Sequence, residues 1–226
     1  MKEYTYILGV HDGHNCGASL ALNGKIISSV SEERLTRKKN EVGYPCKSIE
    51  ECLKIANIDS SDLYQVVLAS NFMHHPSYLE DMHPWYLVGE KEQIIDKKKS
   101  KHYQKEVFYR RKKERINNLV KHLKIDENKI CFIEHHLAHL AAAYYTAPNV
   151  APNKPILGLT CDGAGDGLSA TVSLCKNNSI KRINSTDRHA SLGKIYSRIT
   201  MLLGMKPWEH EYKIMGLAPY SDSKIA

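Results

Sequence analysis

The sequence predicts an α/β fold built from two related lobes, the second of them incomplete. Three observations carry this expectation. Short β-rich apolar runs alternate with segments of helical spacing along the 226 residues. A pattern of five features near the start returns 149 residues later. A connector with three prolines, Pro148 to Pro155, separates the two copies.

In chain order, Tyr4 to Val10 reads as a strand, followed by His11-Asp12-Gly13-His14-Asn15-Cys16-Gly17. Ala18 to Leu22 and Lys25 to Val30 read as two further strands around Asn23-Gly24, the strongest short hairpin signal. Ser31 to Lys39 is dense in charge of both signs. Ser48 to Ala56 places Ile49, Cys52, Leu53 and Ala56 on one helix face. Val66 to Ala69 reads as a buried strand. Asn71 to about Tyr103 reads as an irregular insertion carrying Met73-His74-His75-Pro76 and His83-Pro84-Trp85. Lys105 to Leu123 returns to helical spacing through Val107, Ile116, Leu119, Val120 and Leu123. Ile130 to Ile133 reads as a strand and Glu134 to Tyr145 as a helix stopped before Pro148.

The repeat aligns Ile7-Leu8-Gly9, Asp12-Gly13, the run from Ala18 to Leu22, and Asn23 with Ile156-Leu157-Gly158, Asp162-Gly163, the run from Ser169 to Leu174, and Asn177. Each copy reads as strand, Asp-Gly turn, strand, polar turn, strand. A strand ending in Asp-Gly brings backbone N–H groups close to phosphate, and its carboxylate can hold a metal ion. The first lobe is expected over 1–150, with a basic insertion at about 71–128. The second lobe is expected to begin at 151 and to stop midway at 226. Leu192 to Leu203 reads as a helix, and Glu211 to Tyr220 has no clear period.

Composition bounds the rest. Apolar content of 42% is ordinary for a globular chain. No run of about 18 apolar residues exists, so no transmembrane helix is expected. The opening MKEYTYILGV lacks a signal-peptide layout, and a cytoplasmic location is expected. Six cysteines without a C-x-x-C pair read as buried free thiols. The net charge of +7 is concentrated in residues 91–129, with 14 Lys and Arg against 6 Asp and Glu. Such a segment can bind nucleic acid, but a solvated helical excursion is the expectation.

The stretch around which the chain is organised is Glu134-His135-His136-Leu137-Ala138-His139. His135 and His139 lie four apart, on one helix face, where two imidazoles can hold one borderline metal ion. His136, three before His139, competes as the partner.

Two lobes with phosphate hairpins are similar to the actin, sugar-kinase and heat-shock-chaperone ATPase superfamily, the ribonuclease-H-like duplicated fold. Five motifs narrow the resemblance: His11-Asp12-Gly13-His14-Asn15, Ser31 to Lys39, His135-His136-Leu137-Ala138-His139, Asp162-Gly163-Ala164-Gly165-Asp166, and Glu211-Tyr212-Lys213-Ile214-Met215-Gly216-Leu217-Ala218-Pro219. In this order the chain resembles the nodulation-protein and antibiotic-type O-carbamoyltransferases. The resemblance implies a partner YrdC-like domain, expected beyond residue 226, that makes carbamoyl-adenylate from carbamoyl phosphate and ATP. The domain present here would pass the carbamoyl group to a hydroxyl of a sugar or natural product. It implies iron(II), or another divalent metal, with His139 and Asp162 as ligands and His135 on or near the metal. A further carboxylate ligand would lie beyond residue 226. It sets His11 or His14 near the acceptor hydroxyl, and Arg34 and Lys213 near phosphate or carbamoyl oxygens. Asp12, Gly13, Gly163, Gly165 and Asp166 fall in its nucleotide hairpins. Leu140, Ala142 and Ser221 depart from its pattern without removing a ligand.

The chemistry is consistent with these roles. A histidine can take a hydroxyl proton near neutral pH, a metal can polarise the carbonyl, and backbone N–H groups with Arg34 or Lys213 can neutralise phosphate. No membrane or nucleic-acid partner is expected, and a homodimer is compatible. A tRNA threonylcarbamoyl transferase and a truncated, non-catalytic nucleotide- or metal-binding module are the alternatives.

Overall fold

A computed structural model describes residues 4–80, 100–148 and 153–222. These residues form an α/β structure in two compact units, one ending at His139 and the other beginning at Leu140. 

In the first unit, β1 (Tyr6–His11), β2 (Gly17–Leu22), β3 (Lys25–Ser31), β4 (Leu63–Ala69) and β5 (Ile130–Ile133) form one sheet in the order β3-β2-β1-β4-β5. The first three are an antiparallel meander, while β1, β4 and β5 run parallel. Parallel neighbours need crossovers. Helix α2 (Cys46–Ala56) lies in the first crossover and the long α4 (Ser100–Leu123) in the second. Asn23 and Gly24 both take positive φ (49° and 81°), the twist that a two-residue hairpin needs. Leu8, Val10, Ala18 and Leu20 alternate along β1 and β2, and Val66 and Leu68 along β4. They close a core with Ile49 and Cys52 of α2 and Leu119 and Leu123 of α4.

The charged stretch after β3 opens with a helix. Residues Glu32–Thr36 form the short helix α1, and Glu32 is buried. Its carboxylate accepts the Lys47 N–H at 3.1 Å, the Ser48 N–H at 2.7 Å and the Ser48 hydroxyl at 2.7 Å. Glu32 thus caps α2 from outside, which allows the helix to begin two residues earlier than its apolar spacing suggests. The described part of the basic segment is helical and largely solvated, as expected, with two exceptions. Within α4, Arg111 and Arg115 point inward and are buried. A short helix α3 (Pro76–Glu80) follows β4. The remaining insertion, including His83-Pro84-Trp85, lies outside the described residues.

In the second unit, β6 (Ile156–Gly165), β7 (Leu168–Lys176) and β8 (Ser179–Asp187) form an antiparallel meander. The Asp162-Gly163 step is not the turn expected from the repeat. It lies inside β6, where the register shifts between Cys161 and Gly165. The turn falls at Asp166 and Gly167 (φ 48° and 86°). Helix α5 (His135–Thr146) begins in the first unit, and its later residues Leu140 and Tyr144 pack on Cys175, Ile156 and Ile180. A Cβ on Gly158 would fall 2.5 Å from Leu140 Cδ1, so glycine lets the helix lie close to the strand. Helix α6 (Leu192–Leu202) packs against β6. The tail without clear period forms α7 (Glu211–Leu217) and a 3-10 turn (Ala218–Tyr220). Its helix is organised by Glu211, which accepts the Trp208 N–H and the Ser197 hydroxyl.

All six cysteines are free. Cys16, Cys52 and Cys175 are buried, Cys46 and Cys131 half-buried, and Cys161 exposed, so burial holds for only part of the set. No helix among the described residues is long and apolar enough to cross a membrane.

Glu32→Ala should destabilise the chain by about 2–3 kcal/mol, because the buried Ser48 N–H and hydroxyl and the partly buried Lys47 N–H lose their acceptor. Ser31→Ala, which removes no side-chain cap bond, should stay within about 0.5 kcal/mol. Urea unfolding of both variants checks this; equal effects would remove the capping role.

Candidate functional site

The carboxyl ends of β1, β4 and β5 lie side by side, the place where open α/β sheets gather functional groups. They are tied by Arg115. Its Nε and Nη2 donate to the two oxygens of Asp12, both at 2.8 Å, in a bidentate pair. Nη2 also donates to the Ala69 carbonyl at 3.0 Å, and Nη1 to the carbonyls of Ser70 at 2.9 Å and Asn71 at 3.4 Å. The guanidinium lies over the Phe132 ring of β5, 5.0 Å from its centroid. Arg115 and Asp12 are 1% and 4% exposed. The Asp12 carboxylate is therefore committed to the protein's own arginine.

Helix α5 starts directly after β5. The Glu134 carboxylate accepts the N–H groups of His136 (3.2 Å) and Leu137 (2.8 Å), which satisfies the first turn. One turn of helix sets the His135 and His139 rings together, Nε2 to Nε2 at 3.1 Å. The Ser70 hydroxyl meets His135 Nδ1 at 2.8 Å. With Nδ1–H donating to Ser70, the His135 Nε2 lone pair is turned toward His139. The nitrogens can share a hydrogen bond or hold one cation. An ion about 2.1 Å from each nitrogen would see them about 95° apart, an ordinary angle for neighbouring ligands. The donor set thus fits two ligands of a divalent metal. His136 is fully buried, and the ring beside His139 is that of His135.

His11 ends β1, and its Nε2–H donates to the His14 carbonyl at 3.0 Å. That tautomer leaves Nδ1 as the acceptor. Burial is the main cause that lowers its pKa from the ordinary 6.5, with His135 and Arg115 adding to the shift and the His14 carbonyl and Asp12 opposing it. His14 is half-buried and bridges to Val42. Gly13 is buried, and a Cβ there would strike the end of Met73 at 2.7 Å. Arg34 is exposed on α1.

In the second unit, Asp162 Oδ1 accepts the Gly163 N–H at 2.6 Å, and the Asp162 carbonyl accepts the Ser191 hydroxyl at 3.1 Å. Ser191 is also the N-cap of α6 and accepts the Lys194 N–H at 3.1 Å. A Cβ on Gly193 would lie 3.1 Å from Gly163 Cα, so glycine at 193 lets the start of α6 approach the strand backbone. Burial, with Arg188 and Arg198, lowers the pKa of Lys194. A helix N-terminus beside a Gly-rich strand and a lysine is suited to an anion. Reading by sequence passed over Ser191, Gly193 and Lys194, although Ser-x-Gly-Lys opening an apolar helical run was the available signal. Ser70 and Arg115 were also passed over, and neither stands in a motif. Gly165 closes β6, Asp166 forms the β6–β7 turn, and Lys213 is exposed on α7.

The sequence matches the family described as Carbamoyltransferase N-terminus over residues 6–226. An uncharacterized protein of Methanocaldococcus jannaschii is 30% identical over 214 residues, which cover 95% of this chain and 33% of that protein. The nodulation protein NolNO of Sinorhizobium fredii is 29% identical over 216 residues, covering 94% of this chain and 28% of its own length. An uncharacterized protein of Synechocystis is 31% identical over 227 residues, with coverages of 97% and 35%. The chain spans about a third of the length of the curated relatives it matches.

His11 makes a pH-dependent prediction. Its folded pKa lies below 6.5, so the unfolded chain binds this proton more readily. Its contribution to stability is fully present above pH 6.5 and is lost as pH falls from 6.5 toward the folded value. Imidazole NMR titration should give His11 a midpoint below 6.5; a midpoint at or above 6.5 would contradict its burial as a neutral ring.

Proposed function

The chain belongs to the carbamoyltransferase N-terminal family, and from that premise we propose that it is the transfer domain of an O-carbamoyltransferase. In this reading carbamoyl-adenylate, made from carbamoyl phosphate and ATP by a YrdC-like partner domain, donates its carbamoyl group to a hydroxyl of a sugar or other small molecule. The observation that carries the reading is the His135–His139 pair, with both Nε2 atoms 3.1 Å apart and Ser70 set on the outer nitrogen of His135.

Iron(II), or another divalent ion, is the cofactor of the proposal, held by His135 and His139 with Asp162 as a carboxylate ligand. Bound there, it would supply a Lewis acid for a carbonyl or phosphate oxygen. Ser70 orients His135, as hydrogen bonds to the outer nitrogen of metal-binding histidines commonly do. His11, held neutral by burial, is suited to accept the hydroxyl proton at Nδ1, with His14 as the other candidate base. Gly13, Gly163, Gly165 and Asp166 belong to the proposed nucleotide hairpins, and Lys194 joins Arg34 and Lys213 as a cation for phosphate. Asp12 serves as a positioning residue, because its carboxylate is spent on Arg115. The exposed Leu157 and Leu159 of β6 and Leu192 and Leu202 of α6 offer apolar surface to a partner domain. Two arginines of the basic helix α4 are turned into the fold, which weakens the case for an RNA substrate.

The test begins with anaerobic iron(II) binding. The wild type should bind stoichiometrically, His139→Ala and Asp162→Ala should lose the ion, and Ser70→Ala should weaken it about 10–100-fold. The iron-loaded chain, with carbamoyl phosphate, ATP and a YrdC-like domain, should then move labelled carbamoyl to a hydroxyl acceptor. Metal binding unaffected by His139→Ala and Asp162→Ala, or label that goes only to amines, would overturn the proposal.

A further inference from the structure

A second cluster of ligating side chains lies in the first unit, made of residues other than the histidine pair. Helix α2 opens with Cys46, and Glu50 follows one turn later on the same face. His122 stands in the last turn of α4. Cys46 Sγ lies 3.6 Å from Glu50 Oε1 and 3.6 Å from His122 Nε2, and Glu50 Oε1 lies 3.4 Å from that same Nε2. The other ring nitrogen, Nδ1, meets the Tyr44 hydroxyl at 2.9 Å.

The arrangement is not a nucleophile–base–acid relay. A relay sets thiol and carboxylate on opposite nitrogens of the imidazole. Here both lie nearer Nε2, with Sγ also 4.0 Å from Nδ1 across the ring face, and a phenol meets Nδ1. Three different donor atoms grouped within 3.6 Å of one another are instead the composition of a metal site, reached by a turn of the His122 ring about the bond that carries it, with Tyr44 as the partner of its other nitrogen.

The distances can be compared with a zinc tetrahedron. With Zn–S about 2.3 Å and Zn–N and Zn–O about 2.05 Å, tetrahedral angles separate S from N and S from O by about 3.6 Å each, and N from O by about 3.4 Å. The three separations in the protein are 3.6, 3.6 and 3.4 Å. We propose that Cys46, Glu50 and His122 bind one zinc ion, with a water as the fourth ligand on the side where Glu50 meets solvent. A thiolate, an imidazole and a carboxylate suit a borderline-soft ion of this kind better than magnesium or calcium. Binding forms one Zn–S, one Zn–N and one Zn–O bond and releases the Cys46 thiol proton to solvent. It clamps the start of α2 to the end of α4.

Cobalt(II) serves as a spectroscopic probe for zinc. Added to the full chain, it should produce a thiolate-to-cobalt charge-transfer band that zinc abolishes. Cys46→Ser should eliminate the band, with circular dichroism confirming the fold, and His122→Gln and Glu50→Gln should each weaken binding at least tenfold. His139→Ala should leave the band in place, so this site and the histidine-pair proposal can fail separately. Zinc should raise the thermal midpoint of the wild type and not that of Cys46→Ser. No charge-transfer band in the wild type would overturn the proposal. So would a band that survives Cys46→Ser and falls in Cys161→Ser, since the metal would then sit on the exposed thiol.

Discussion

Arg115 makes five hydrogen bonds from the interior of helix α4, two to Asp12 and three to the carbonyls of Ala69, Ser70 and Asn71. It also lies over Phe132. One side chain therefore touches the ends of all three parallel strands. A buried guanidinium is tolerated only when its donors are matched, and here every partner lies at a strand end. Removal of either charged member would leave the other buried and uncompensated, so the pair holds the platform from which the candidate site rises.

The site depends on that platform in a direct way. Ser70 offers its carbonyl to Arg115 and its hydroxyl to His135. The residue that fixes the end of β4 thus also fixes the ring that faces His139. Asp12 sits next to His11, whose buried ring stays neutral against the pull of that carboxylate. The second unit solves a different problem. Ser191 ties the start of α6 to the Asp162 carbonyl, and Gly193 lets the two backbones approach. What results is a helix N-terminus with Lys194, a setting for negative charge.

Much of the secondary structure was legible because the apolar period changes cleanly between strands and helices. The Asn23-Gly24 hairpin and the histidine helix stand close to where periodicity and turn chemistry put them. Three features escaped for identifiable reasons. Arg115 fell in a segment read as solvated and Glu32 in one that showed only dense charge, since nothing local distinguishes a charge with a distant buried partner. The helix Glu211–Leu217 lacks a strong apolar face and is organised by tertiary hydrogen bonds of Glu211. The Asp162-Gly163 pair looked like the turn because Asp-Gly usually is one, but Asp166-Gly167 closes the hairpin four residues later. Of the candidate site, the histidine spacing was visible on one helix face, whereas the Ser70 contact spans 65 residues of sequence and has no local signature.

The most direct test of this account is a double-mutant cycle on Asp12→Asn and Arg115→Met, read by urea unfolding. If the pair holds the strand ends, each single change should cost about 3–5 kcal/mol. The double variant should then cost less than their sum by about 2–3 kcal/mol. Costs that add to within about 0.5 kcal/mol would mean that the two charges act independently, and the platform would have to be held by something else.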